Sequence, residues 1–330
     1  MTIEETKRDK VMVSVCMITY NHENFIHEAI EGVLTQKCNF PIELMIGEDC
    51  SNDKTRQICL EYASKYSEIS LLPSESNLGM MANFIRTLQV STGKYIALCE
   101  GDDYWTDPYK LQKQVDFLEA NEDYVLCTHS VDELDENNKF IRILKPDFIK
   151  NEYTYRDLNI NLTIWTCSVV FRNCIKEMPK WLNSLPAGDF PLWLLLSKYG
   201  GIKYLDETMS VYRNNNSGVH SSLSRTKKII NGLVLVKKVK IYFPLEYQDF
   251  FKEHNKLYLN FLSNEINELS SQEKYSEARK SIFLMLKYDI TLKSLQFPKF
   301  KVMVNIIIGN KLWLFLMGLK GKRKLKKIIN

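Results

Sequence analysis

The feature that most constrains the fold is an alternation of apolar strand-like runs with helical patterns through the first third of the chain. Val11 to Thr19 (VMVSVCMIT) reads as a strand. Asn24 to Thr35 then carries apolar residues at helical spacing, through Phe25, Ile26, Ala29, Ile30, Val33 and Leu34. Pro41 to Gly47 predicts a second strand, and Asn52 or Asp53 can cap a helix running to about Tyr66. Ile69 to Leu72 is a short third strand stopped by Pro73, Met80 to Val90 a third helix, and Tyr95 to Cys99 a fourth strand. Pro108 is placed to open a helix to about Glu119. Strand and helix recur at roughly 25–30 residues, the mark of βαβ units and a mostly parallel, doubly wound sheet.

In such a sheet, ligands bind at the carboxyl ends of the strands. Three polar clusters fall there: Tyr20-Asn21-His22, Glu48 to Asp53, and Glu100-Gly101-Asp102-Asp103. The last sets three carboxylates within four residues at the mouth of an apolar run. Left unpaired in the interior, each would cost several kcal/mol, so a positive partner is expected. A hard divalent cation with oxygen ligands is the simplest one. The alternative is a solvated acidic turn leading into the Pro108 helix.

After Tyr124 the pattern is mixed. Tyr124–His129, Phe140–Leu144 and Ile164–Arg172 read as strands, Asp189–Tyr199 as a helix, and Ser210–Arg213 as a short final strand. From Leu223 the chain turns helical and Lys-rich, with two or more helices expected between Thr226 and Tyr288. The expected organisation is one α/β domain over 1–222, in halves 11–123 and 124–222, and a helical region with a basic tail over 223–330. With 45% hydrophobic and 25% charged residues, a soluble globular protein is expected. The polar start, Met1 to Lys10, does not read as a signal peptide, so a cytoplasmic location is expected. The eight cysteines show no CxxC spacing and read as reduced, mostly buried residues. Six cations from Lys320 to Lys327 exceed the net charge of +4, leaving the body at −2, which argues against a nucleic-acid partner. Val302 to Leu319 is too interrupted to span a bilayer. It reads either as an interfacial helix on the anionic inner face of the plasma membrane or as a core helix with a solvated tail.

Five stretches in order carry a resemblance: VSVCMITYNHENFIHEAIEGVLTQ, ELMIGEDCSNDKT, NLGMMANFIRTL, TGKYIALCEGDDYWTDPYKLQKQVDFL and, more weakly, GDFPLWLLLSKYGGIKYL. Together they resemble the family 2 glycosyltransferases of GT-A fold, inverting enzymes of the kind that build bacterial surface polysaccharides. The resemblance implies a Rossmann-like sheet flanked by helices and transfer of a sugar from a nucleotide sugar, a UDP-sugar foremost, to a glycan or lipid-linked acceptor. It implies a nucleotide-sugar site formed by Thr19, Tyr20, Asn21, Glu23, Asp49, Ser51, Asn77, Gly79, Asn83, Glu100, Gly101, Asp102 and Arg213. Within that site it gives Asp49 a hydrogen bond from the base, and it gives Asp102 and Asp103 a Mg²⁺ or Mn²⁺ ion. His220 becomes a candidate third metal ligand, and Asp189 the catalytic base.

The chain departs from the family pattern at Glu48, Cys50, Glu100 and Gly188. Other roles stay open: a helix cap for Ser51, Asn52 and Asp53, an ordinary turn for Asn77, and a simple N-cap for Asp189. Trp193 reads as packing or as a floor of the sugar site, and His22, His27, His129 and His254 receive no role. A non-catalytic nucleotide- or glycan-binding module is the alternative. A sugar nucleotidyltransferase is a weaker one, because the Tyr20–Asn24 loop has neither glycine nor a basic phosphate clamp.

Overall fold

The computed structural model describes residues 11–158, 161–214 and 223–287. These fall into two compact units, Met1–Gly218 and Val219–Asn330.

The first unit is built on a nine-stranded sheet. Strand β1 (Val13–Thr19) is its centre, paired in parallel with β2 (Ile42–Glu48) on one side and β4 (Tyr95–Leu98) on the other. Strand β3 (Ile69–Pro73) pairs in parallel with β2. Val13, Val15 and Met17 are fully buried, as expected of a strand covered on both faces. Helices α1 (Ile26–Leu34), α2 (Thr55–Lys65), α3 (Met80–Val90) and α4 (Lys110–Ala120) follow β1 to β4 in the order predicted. Beyond β4 the sheet becomes mixed. The two-residue β5 (Tyr104–Trp105), β6 (Tyr124–Leu134), β7 (Phe140–Leu144), β8 (Val170–Arg172) and β9 (Gly201–Arg213) give the order β3-β2-β1-β4-β8-β6-β9-β5, with β7 beside β6. The chain steps outward from β1 through β2 to β3 and returns on the other side of β1 as β4. The β1/β4 boundary is therefore the topological switch point, where ligands bind in open sheets of this kind.

Three local expectations need correction. Ile164–Arg172 is not one strand: Thr166–Ser168 forms a tight turn before β8. Ser168 folds back there, its hydroxyl on the Trp165 carbonyl at 2.6 Å, while its own carbonyl accepts from Gln114 at 2.9 Å. The last strand is not four residues but thirteen, because the charged pair Asp206-Glu207 interrupts an otherwise continuous extended run. Helix α4 starts two residues after Pro108, with the Asp107 carboxylate accepting the Tyr109 N–H at 2.8 Å.

Lys110, in the first turn of α4, is fully buried. Its Nζ donates to Gln114 Oε1 at 2.8 Å and lies 4.2 Å from the Trp105 ring centroid. Burial pulls its ammonium down to about 8. A depressed folded value means that burying the charge costs stability fully below pH 8. The cost fades as pH rises from 8 towards 10.5, where the unfolded chain still holds the proton. Lys110→Met removes this titration. Its stability relative to the parent should fall by roughly 3 kcal/mol between pH 7 and pH 11, read from denaturant melts of both proteins across that range. A constant difference would show that Lys110 titrates normally.

The second unit contains α6 (Arg225–Val239), α7 (Gln248–Ser271) and α8 (Tyr275–Lys287), numbered after α5 (Asp189–Leu196) of the first. Its core is formed by Ile229, Ile230, Leu233, Leu262, Ile266, Ala278 and Ile282. Ser224 caps α6, its hydroxyl accepting the Lys227 N–H at 3.3 Å. No described helix is long and apolar enough to cross a membrane. The Val302–Leu319 segment and the basic tail lie outside the described residues.

Candidate donor-binding cleft

The loops after β1 and β2 are stitched to each other. Asn21 N–H donates to Ser51 Oγ at 3.0 Å, and Asn52 N–H donates back to Asn21 Oδ1 at 2.8 Å. Glu23 N–H reaches Asp53 Oδ2 and Lys54 N–H reaches Glu23 Oε2, each at 3.0 Å. Asp53 also accepts the Thr55 N–H at 2.9 Å, so it closes the turn leading into α2 and braces the β1 loop together. Asn21, Glu23 and Ser51 thus form a rim fastened from both sides, and Tyr20 lies exposed on it.

Several residues assigned to the nucleotide sugar are occupied in holding this rim. Asp49 is buried, and its two oxygens accept the Leu78 and Gly79 N–H groups at 2.8 and 2.9 Å. It anchors the entry to α3 where the resemblance assigns it a base. Asn77 Nδ2 donates to the Asp49 carbonyl at 3.2 Å. Asn83 is buried too, donating to the Gly47 carbonyl at 2.8 Å and accepting from Arg86 at 2.9 Å, so it faces β2 instead of the cleft. Gly79 takes φ 85°, the left-handed backbone expected of it. Glu48 is buried, with Arg56 Nε on one oxygen at 2.5 Å and Ser51 N–H on the other at 2.7 Å. Its extra methylene relative to Asp provides that reach.

Cys50 stands where the family pattern has glycine, and it takes φ 60°. An L-residue in that region is strained by about 1–2 kcal/mol. Its thiol makes a weak contact to the Glu75 carbonyl at 3.6 Å. Cys50→Gly should therefore raise the melting temperature, by an amount corresponding to roughly 0.5–1 kcal/mol after the added freedom of the unfolded chain. A fall in melting temperature would show that the thiol contact outweighs the strain.

The acidic loop lies across the end of β1 at the switch point. Gly101 N–H donates to the Ile18 carbonyl at 2.9 Å. A Cβ on Gly101 would lie 2.6 Å from Thr19 Oγ1 and 2.9 Å from His22 Nδ1, so only glycine lets the loop settle there. Both of those polar atoms are buried without a hydrogen-bond partner. The three carboxylates then diverge. Asp103 is 1% exposed, and its Oδ1 accepts the Arg213 N–H at 2.9 Å. Its carboxyl is pushed well above the usual range by burial, then by the charges of Asp102 and Glu100. Asp102 is partly exposed, with the His22 Nε2 3.9 Å from its Oδ2. Glu100 is pushed up to about 8 by burial and by the charges of Asp102 and Asp189. The charge of Asp189, in the first turn of α5, thus reaches Glu100 across 89 residues of chain.

Asp102 and Asp189 both stand within electrostatic reach of Glu100, and Asp103 turns inward. Among the described residues no three His, Cys, Asp or Glu side chains could by themselves enclose a metal ion. Mg²⁺ commonly rests on one or two carboxylates and takes substrate phosphates and water for the rest. Asp102, beside surplus negative charge, suits that arrangement. His220 lies outside the described residues.

Arg213 is not exposed to a diphosphate. Its side chain is 3% exposed and stacks between Tyr104 and Phe25, with centroids 4.5 and 5.1 Å away. It donates to the Asp102 carbonyl at 2.8 Å and to Asn138 Oδ1 at 3.1 Å, and it pairs with Glu28. Trp193 is buried edge-on to Phe171, as packing. Two residues that sequence reasoning missed stand at the acids: His22, and Tyr212, whose hydroxyl is raised by burial and by the charges of Asp103, Glu100 and Asp102. Alternation along β9 could have drawn attention to Tyr212, since it points opposite to its buried neighbours.

A family model described as "Glycosyl transferase family 2" matches residues 14–178. The Mycobacterium tuberculosis protein Rv1520 is 36% identical over 222 residues, covering 66% of this chain and 63% of the relative, so the match spans less than two thirds of its length. The Escherichia coli UDP-Glc:alpha-D-GlcNAc-diphosphoundecaprenol beta-1,3-glucosyltransferase WfgD is 28% identical over 247 residues, 72% of this chain and 93% of WfgD. Staphylococcus aureus TarS 1-349, solved with UDP-GlcNAc, superposes with a TM-score of 0.61 at 18% identity over 84% of this chain and 80% of that one. The fold is the mixed α/β sheet of the GT-A type.

Proposed function

The chain belongs to glycosyl transferase family 2, and on that footing we propose that it moves a sugar from a nucleotide sugar, a UDP-sugar foremost, to a hydroxyl of a glycan or lipid-linked acceptor. The observation that carries this reading is the convergence of Glu100, Asp102 and Asp189 at the switch point of the parallel sheet. The TarS complex supports the UDP-sugar, and the name of the E. coli relative supports a lipid-linked acceptor.

In this reading the base and ribose lie along the rim fastened by Asn21, Glu23 and Ser51, and the orphaned Thr19 hydroxyl is available to the donor. A divalent cation, Mg²⁺ or Mn²⁺, bound at Asp102 supplies charge that offsets the departing diphosphate. Asp189 accepts the proton of the acceptor hydroxyl at its carboxylate. The freed oxygen attacks the anomeric carbon from the face opposite the diphosphate, so configuration inverts. Arg213 and Asp103 hold the loop that presents Asp102 and do not touch the donor.

The reading is tested by turnover of UDP-sugars, as transfer or slow hydrolysis, with Mn²⁺ and after chelation. The expected result is turnover that needs the metal and is lost in Asp102→Ala. Undiminished turnover in that variant would remove Asp102 from the site.

A further inference from the structure

We infer that β7 and the loop after it form a docking edge for an anionic phospholipid surface. Scattered exposed apolar residues are ordinary, but five within ten residues of one strand and its following loop are not. Phe140, Ile141, Ile143, Phe148 and Ile149 are all exposed, Phe148 by 83%. Strand β7 pairs only with β6 among the described strands, so the far edge of its backbone is open as well.

The presentation is rigid. In the turn before β7, Asp135 Oδ1 accepts the N–H groups of Asn137 and Lys139, each at 2.9 Å. In the loop after it, the hydroxyl of the buried Tyr153 donates to the Phe148 carbonyl at 2.9 Å and accepts the Lys150 N–H at 3.0 Å. Phe148 and Ile149 therefore project from a backbone pinned beneath them.

Charge selects the partner. Lys139, Arg142, Lys145 and Lys150 stand in this segment against Asp147 alone. Arg142 pairs with Glu133 and Lys150 with Asp157, so Lys139 and Lys145 bracket the strand as its outward cations. Apolar side chains among cations fit a bilayer of anionic headgroups. A second copy fits poorly. Antiparallel self-pairing centred on β7 would set Lys139 against Lys145 and Arg142 against Arg142, and edge cations oppose such pairing. The edge is also tied to the cleft: Asn138, in its turn, holds Arg213 Nε at 3.1 Å, and Arg213 holds the Asp102 carbonyl. A lipid-linked acceptor at the bilayer surface would thus meet the acidic loop. That purpose rests on the proposed transfer reaction, whereas vesicle binding is measured without turnover, so either can fail alone.

The test is co-sedimentation of the full chain with phosphatidylcholine vesicles, with and without about one third phosphatidylglycerol. Binding is expected only to the anionic vesicles. It should fall about tenfold in F148S/I149S and in K139E/K145E, both changes at exposed positions. A full-length chain with its Lys320–Lys327 cations replaced by Gln serves as a second background, in which the same losses are expected. Unchanged vesicle binding in F148S/I149S in both backgrounds would overturn the proposal. So would a concentration-dependent dimer, seen by sedimentation equilibrium, that these substitutions dissolve.

Discussion

Asparagine in place of Asp189 is expected to lower the transfer rate at saturating donor by about 10³-fold, with donor affinity unchanged. The substitution keeps the shape of the side chain and one carbonyl acceptor at the start of α5, and removes the charge and the ability to take a proton. Loss of a charge in the first turn of a helix costs about 0.3–1 kcal/mol, too little to unfold the unit. Because Asp189 contributes to the elevation of Glu100, the variant should also let Glu100 ionise at lower pH. A rate within the range of the parent would leave Asp189 as a helix-start residue only. A loss of donor affinity with an unchanged rate would place it on the donor.

The second large effect falls on Arg213. Alanine there removes hydrogen bonds to the Asp102 carbonyl and Asn138, the stacking on Tyr104 and Phe25, and the pair with Glu28. Glu28 is 59% exposed, so the ion pair itself counts for little. The buried bonds of a charged donor count for more, and a destabilisation of roughly 3 kcal/mol is expected. In a unit of this size that is a fall of about 6–12 °C in melting temperature. Arg213→Lys keeps the charge but not the fork and should recover only part of it. A phosphate clamp behaves in the opposite way: its alanine variant melts normally and loses donor affinity. Thermal melts beside a donor titration separate the two.

The first half of the fold was legible because each strand and helix there is a local pattern. VSVCMIT and YIAL need no distant partner to read as buried strands, and the order of polar loops follows from the order of elements. The acidic loop was legible for the same reason. Which of two adjacent carboxylates faces the cleft was not. Gly101 and Asp102 form the corner of a turn closed by the Asp103 N–H on the Glu100 carbonyl at 3.1 Å, so Asp102 and Asp103 part company, and only the backbone of Arg213, 110 residues away, shows which is inside. Arg213 itself has partners 75 to 185 residues distant, and none can be inferred from the motif around it. Asp49 and Asn83 sit in motif positions, yet their hydrogen-bonding capacity goes to α3 and β2. A motif gives a residue's place along the chain, and the packing of the neighbouring helix decides where its polar atoms turn.

The most direct test of the donor cleft is calorimetric titration of UDP and a UDP-sugar into the protein with and without Mn²⁺, repeated on Asp102→Asn. Binding is expected to strengthen sharply with Mn²⁺ in the parent and to show no metal effect in the variant. Binding that is equally tight without metal, or a metal effect that survives Asp102→Asn, would contradict it.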